Sequence, residues 1–204
     1  MPNSHFELPL GYSSVPRGCI AAVVTSLEMN ARPQTLSVPK FPPGYELAEL
    51  NRSDLDGYRA LFRKIGEEWL WHSRLTMSDE ELQHILSDPL DEILALRHAG
   101  ENVGLLELDF RQQGQCELAF FGLVSAEIGK RLGRALMNAA IERAWARPIR
   151  RFWVHTCTLD HPGALAFYIR SGFHPYAFQV EVQRDPRLTG HLPREAAPQV
   201  PIIE

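Results

Sequence analysis

Residues 129–134, Gly-Lys-Arg-Leu-Gly-Arg, combine two glycines and three cations at the point where an apolar run gives way to helical spacing. The run after Cys116 is rich in β-prone aromatics and suits a buried strand. Residues 125–128 break it. Leu132, Leu136, Ala140 and Ala144 then recur as the apolar face of a helix, with Ile141 alongside. A strand, a glycine-containing turn and a helix start aim free backbone N–H groups and the positive helix end at one spot. Glycine lets a bulky anion approach the backbone, and Lys130, Arg131 and Arg134 add charge. A phosphate or pyrophosphate is the natural ligand of such a turn. A strand–helix connection whose glycines serve only the turn fits the same letters.

Other chemistry-bearing residues are sparser. His155 and Cys157 fall on one face of an alternating segment, but no further ligands share their spacing. Neither CxxC nor HExxH occurs, so no metal site is expected. Three cysteines, Cys19, Cys116 and Cys157, are odd in number and far apart, which argues against a disulfide framework and for a reducing, cytoplasmic setting. The 204 residues, 45% hydrophobic and 23% charged, suffice for one sizeable core. A net charge of -4 and a pI of about 6.1 give no basic surface for nucleic acid or membrane lipid. No signal-peptide pattern opens the chain, and the apolar stretch 19–24 is too short to span a bilayer.

The elements that must position these residues follow from periodicity and punctuation. Residues 1–17 read as a loose arm, 20–29 as a strand, and 31–44, with Pro33, Pro39, Pro42 and Pro43, as a linker or rigid crossing. Residues 45–50 read as a strand. Ser53-Asp54 caps a helix whose apolar face is Leu55, Tyr58, Leu61, Phe62 and Ile65. Residues 78–81 form a capping box that starts a short helix reaching about Ser87. Residues 92–97 and 103–110 form a hairpin. Residues 150–158 make a strand, Pro162 or Gly163 starts a helix stopped by Gly172, and 173–182 make a last strand. Residues 184–204, with four prolines, read as a C-terminal arm. The class is α/β with a mixed sheet. The phosphate turn arrives after a meander rather than at the first strand, so this is not a doubly wound nucleotide fold.

Two segments, residues 123–136 (LVSAEIGKRLGRAL) and 160–173 (DHPGALAFYIRSGF), together resemble motifs A and B of the GCN5-related N-acetyltransferase (GNAT) superfamily. Ala164, Tyr168, Gly172 and Phe173 match motif B position for position. In motif A, with Gly133 as the final glycine, Ile128 stands at the Arg/Gln position and Arg131 at the middle glycine. A second register, Lys130-x-x-Gly133-x-Ala135, satisfies the letters better, but Leu132 to Leu136 enter the helix as the family's last motif residues do. The resemblance spans roughly 45–182 and leaves out an N-terminal arm, extra strand and linker (1–44) and a proline-rich tail (184–204), with the acyltransferase domain drawn as 45–183. It implies a mostly antiparallel sheet flanked by helices, with a strand pair splayed at an acyl-CoA site.

The resemblance also implies roles. Gly129, Lys130, Arg131, Leu132, Gly133 and Arg134 would hold the CoA pyrophosphate, and Phe121, Gly122 and Leu123 would offer backbone groups to pantetheine and to the thioester carbonyl. Tyr168 would protonate the departing thiolate, and Glu117 would take a proton from the acceptor amine. Glu107 and Asp109 are alternatives to Glu117, or groups that hold a cationic acceptor. His161 stands where relatives carry a carrier-binding Asn; capping by Asp160 and His161 is the plainer account. Trp69, Trp71, His72 and Arg74 fall where the family's acceptor loop lies, as a pocket wall or as core anchors. The expected activity is transfer of an acetyl or short acyl group from acetyl-CoA to an amine, on a small molecule or a protein, by a possible homodimer without a metal. The rival is a non-catalytic acyl-CoA-binding or protein-interaction module on the same fold.

Overall fold

The computed structural model describes residues 8–34 and 40–204. Residues 1–7 of the expected arm and Pro39 of the linker lie outside the described residues. The elements are β1 (Cys19–Met29), β2 (Tyr45–Glu49), α1 (Leu55–Gly66), α2 (Asp79–Ser87), β3 (Asp91–His98), β4 (Glu101–Asp109), β5 (Gln115–Leu123), α3 (Leu132–Ala144), β6 (Arg151–Cys157), α4 (Ala164–Arg170) and β7 (His174–Arg184). All strands join one sheet in the order β2-β3-β4-β5-β6-β1-β7. Every pairing is antiparallel except β5 with β6. This is the mixed, mostly antiparallel sheet that the motifs imply.

Local chemistry sets the element boundaries. The Asp54 carboxylate accepts from the Gly57 N–H at 2.9 Å and opens α1. Ser78 and Glu81 exchange both bonds of a capping box at α2. Ala99 and Gly100 both take positive φ (49° and 83°), the two-residue hairpin turn that matches strand twist between β3 and β4.

Alternation along the strands sends side chains into two helical layers. Leu94, Leu106 and Leu108 pack with Leu136, Met137, Ala140 and Ile141 of α3. Ile93, Ala95 and Leu105 pack with Tyr58, Phe62 and Ile65 of α1 and with Leu82 and Leu86 of α2.

Two features differ from the expected outline. First, β1 is not peripheral: it lies between β6 and β7, with Val24 opposite both Cys157 and Gln179. β7 pairs with β1 alone, so the last strand is attached through the first. Second, the proline-rich segment after β7 packs instead of extending. Arg187, 6% exposed, pairs with the Asp185 carboxylate and donates to the carbonyls of Ala196, Ala197 and Val200 at 2.8–3.2 Å. One buried guanidinium thereby satisfies carbonyls that prolines keep out of a helix or a ladder. Leu192, Ala196 and Ala197 then close over Ile20 and Leu70.

The feature that matters for function is a break in the sheet. β5 and β6 pair only at Gln115–Arg151, Cys116–Phe152 and Glu117–Trp153, and diverge beyond them. Just past that vertex β5 carries a bulge. Phe120 faces Glu107 and Leu118 faces Leu108, so Ala119 is the extra residue.

Candidate active site

A cleft of about 510 Å³ occupies the opening between β5 and β6. Its floor and one wall are β5 from Glu117 to Leu123. The other walls are Val154, His155 and Cys157 of β6, Ala164 and Tyr168 of α4, and residues 69–74 of the loop after α1. Glu181 and Gln183 of β7 close one side. The bulge shifts the phase of the alternation, so that Phe121, and not Phe120, follows Cys116 and Leu118 into the α3 layer. Phe120 joins the α1 layer and packs edge-on against Phe62, whereas Phe121 joins the α3 layer and faces Phe167 and Tyr168. The outward backbone groups of a splayed strand have no ladder partner and are free for a ligand.

Of the expected residues, the cleft brings together Glu117, Phe121, Gly122, Leu123, His161 and Tyr168. Tyr168 is 8% exposed, held between Phe121, Phe167 and Phe173. Among the described residues its hydroxyl has no hydrogen-bond partner. Burial, and then the Asp160 charge, push its ionisation well above the ordinary phenol range. It therefore stays a proton donor. α4 holds it in place: Gly172, at φ 102°, ends the helix and turns Phe173 into the core.

Glu117 sits at the vertex, half-buried, with one carboxylate oxygen 3.6 Å from Nδ1 of His155. His161 is exposed. Its Nδ1 accepts from the Gly163 N–H at 3.0 Å, and its ring stands edge-on to Trp69. Asp160 does not cap α4. It accepts from Trp71 Nε1, the Thr156 hydroxyl and the Cys157 N–H, tying the loop after α1 to the end of β6.

The expected phosphate turn adjoins those walls at Ile128, although none of residues 129–134 lines the cleft itself, and it stands at the start of α3. No side chain caps this helix, so its first N–H groups, those of Leu132, Gly133 and Arg134, remain available. Gly129 takes φ 86° with open space around it. Arg131 takes φ 64°, the left-handed conformation that favours glycine. Arginine therefore replaces the motif glycine in letter while keeping its backbone shape. Two of the three cations are engaged: Lys130 pairs with Glu127 at 3.0 Å, and Arg134 donates to the Ser171 hydroxyl. Gly122 has a packing cause, since a Cβ there would come within 2.4 Å of Ile65.

The alternatives to Glu117 are committed elsewhere. Glu107 is fully buried, accepts from the Tyr58 hydroxyl at 2.6 Å and pairs with Arg74. Burial lowers the Arg74 ionisation, but the Glu107 carboxylate outweighs it and holds the guanidinium charged. Arg74 is thus an anchor of the loop as well as part of the cleft wall, stacked 4.9 Å over Phe120. Asp109 is chelated by Arg111. Sequence reasoning missed His155 as a neighbour of Glu117, Asp160 as a hub, and Asp91. Asp91 is fully buried with both carboxylate oxygens unpartnered. The bulge leaves no local signal, because residues 118–123 (LAFFGL) are apolar toward both layers and hide the change of phase at Ala119. Among the described residues no cluster of three potential metal ligands occurs, and no helix is long and apolar enough to cross a membrane.

The family model described as "Acetyltransferase (GNAT) family" matches residues 58–173, more than half of the chain. The chain belongs to the GNAT acetyltransferase family. Solved GNAT structures share its fold at low identity. The GCN5-related N-acetyltransferase from Kribbella flavida is 20% identical, with a TM-score of 0.54 over 85% of this chain and 63% of that one. The corresponding figures for the GCN5-related N-acetyltransferase from Sphaerobacter thermophilus are 16%, 0.54, 80% and 51%. Those for a putative GNAT-family acetyltransferase from Novosphingobium aromaticivorans are 17%, 0.56, 83% and 68%. The chain thus spans about half to two thirds of these proteins' lengths. A comparison with curated proteins finds no match.

Proposed function

We propose that this GNAT protein is an acetyl-CoA-dependent N-acyltransferase that acylates a small amine by direct attack. One observation carries the reading: a carboxylate, Glu117, and a buried phenol with an unpartnered hydroxyl, Tyr168, line the same cleft where β5 and β6 part. The carrier's fit is supported by the unpaired edge of β5 and by the uncapped start of α3 beside Gly129. Residues 129–134 would hold the pyrophosphate, and Phe121, Gly122 and Leu123 the pantetheine arm, with His161 at the cleft rim. Bound there, the carrier supplies an acyl group already activated as a thioester. Glu117 removes a proton from the acceptor nitrogen, and Tyr168 donates its own to the departing sulfur. A backbone N–H on the free edge of β5 would stabilise the carbonyl oxygen as it gains charge.

A small acceptor is favoured because the loop that walls the cleft is fixed from both sides. Trp71 is tied to Asp160, and Leu70 lies under the C-terminal segment. The test is release of free thiol from acetyl-CoA over amines, amino acids, polyamines and peptides. Turnover with a small amine is expected, and Tyr168→Phe is expected to lower it at least about tenfold while CoA still raises the melting temperature. CoA binding without thiol release from any acceptor would leave a carrier-binding module instead, and unchanged turnover in the variant would remove Tyr168 from the chemistry.

A further inference from the structure

We infer that His155 is the positioning partner and proton outlet of Glu117, so that the two side chains work as one unit at the vertex of the splayed strands. The inference rests on the reading of Glu117 as the base. The geometry follows from the sheet. Glu117 and Trp153 are the last paired residues of β5 and β6. Two residues further on, the pleat returns His155 to the face of Trp153, where the strands have begun to separate. Nδ1 of His155 stands 3.6 Å from Glu117, an ion-pair distance that needs a small approach to become a hydrogen bond.

Solvent access differs across the pair. The Glu117 side chain is 19% exposed and that of His155 is 51% exposed. A proton taken from an amine inside the cleft thus has a path from the less exposed group to the more exposed one. Charge supports the direction. Glu117 on β5, Asp160 on the turn after β6 and Glu181 on β7 face the imidazole, while β1 presents only the uncharged Ser26 opposite it. The Glu117 carboxylate, the largest influence, raises His155 above the ordinary imidazole range against the effect of burial. Asp109, at the end of β4, lies across from Glu117, and its charge is balanced by its pairing with Arg111.

The proton balance closes through water: Tyr168, having protonated the departing sulfur, takes a proton back from solvent, and the Glu117–His155 pair returns one to it. Glu117 gains the proton that the attacking nitrogen loses as the C–N bond forms and the C–S bond breaks. His155 takes that proton at Nδ1 and releases the one on Nε2 to water. The imidazole must be neutral to do so, so turnover rises with pH through the raised His155 titration.

Two measurements test this. In ring-labelled protein followed by NMR, the His155 midpoint is expected above 6.5 in the parent and about one unit lower in Glu117→Gln. With acetyl-CoA and the fastest amine of the thiol-release panel, His155→Gln is expected to lose about tenfold in kcat at pH 7. Its KM for acetyl-CoA should stay within about twofold, and the acid limb of the kcat profile should move at least about one unit lower. An unchanged midpoint in Glu117→Gln, or an unchanged limb in His155→Gln, overturns the pairing. If His155→Gln is silent while Glu117→Gln collapses, the base stands and its outlet does not. If Glu117→Gln keeps full turnover, the base itself is lost, and the outlet with it.

Discussion

Asp91 shows how far a single side chain can depart from its sequence reading. In sequence it is an ordinary acidic residue at the start of a hairpin. In the fold it lies directly across from Asp109, fully buried, with both oxygens unpartnered. Burial first, then the charges of Glu107 and Asp109, push its carboxyl up to about 8 from an ordinary 3.8. The sign follows from proton counting. Between those values the folded protein keeps a proton that the unfolded chain has lost, so stability falls as pH rises through this window and levels off above about 8. Asp91→Asn removes the linkage. Urea unfolding at pH 5, 6.5 and 8 should show the variant gaining on the parent by an amount of order a few kcal/mol across the series. Parallel curves would mean that Asp91 is not held protonated. The place of Tyr168 and Glu117 in the cleft was legible because motif spacing reaches them. The burial of Asp91 and the approach of His155 to Glu117 were not, because both come from residues on other strands.

Elements were legible where their signals are local. The caps of α1 and α2, the hairpin turn and the stop at Gly172 are each written within a few residues. The C-terminal segment was misread as an arm because its order comes from one buried arginine instead of periodicity. Arg187 gathers Asp185 and three carbonyls, and the segment it folds also accepts from Arg63 at the His191 carbonyl and donates from Gln199 to the Glu68 carbonyl. This places it behind residues 67–76, the wall of the cleft. Arg187→Met leaves a buried carboxylate and orphaned carbonyls, so a loss of about 3–5 kcal/mol is expected in urea unfolding. Amide exchange should rise first in residues 67–76, before the β3–β4 hairpin changes. If exchange rises everywhere together, the segment is part of the global core and not a local buttress of the loop.

At the scale of the molecule, the motif region contains only part of its sheet, strands β3 to β6. The family match covers residues 58–173, but β1 precedes it and fills the place between β6 and β7. That position depends on pairing Val24 with residues 157 and 179, contacts that no local pattern encodes. Ile20, Ala22, Val24, Leu27 and Met29 enter the core from β1, and β7, with Glu181 and Gln183 of the cleft wall, hydrogen-bonds to β1 alone. A chain of residues 45–204 therefore loses β1, the attachment of β7 and the Ile20 contact beneath the C-terminal segment. Such a chain is expected to lack a cooperative urea transition and to bind an apolar dye, with β6 left as an exposed edge. A chain starting at Arg17 keeps β1 whole and should unfold with the parent's midpoint. A separate peptide of residues 17–30, added to residues 45–204, should restore the cooperative transition and CoA-dependent stabilisation together, because the slot it fills sets both the sheet and the cleft wall. Folding of residues 45–204 alone with the parent's midpoint would show that β1 is an addition to a sheet that closes without it.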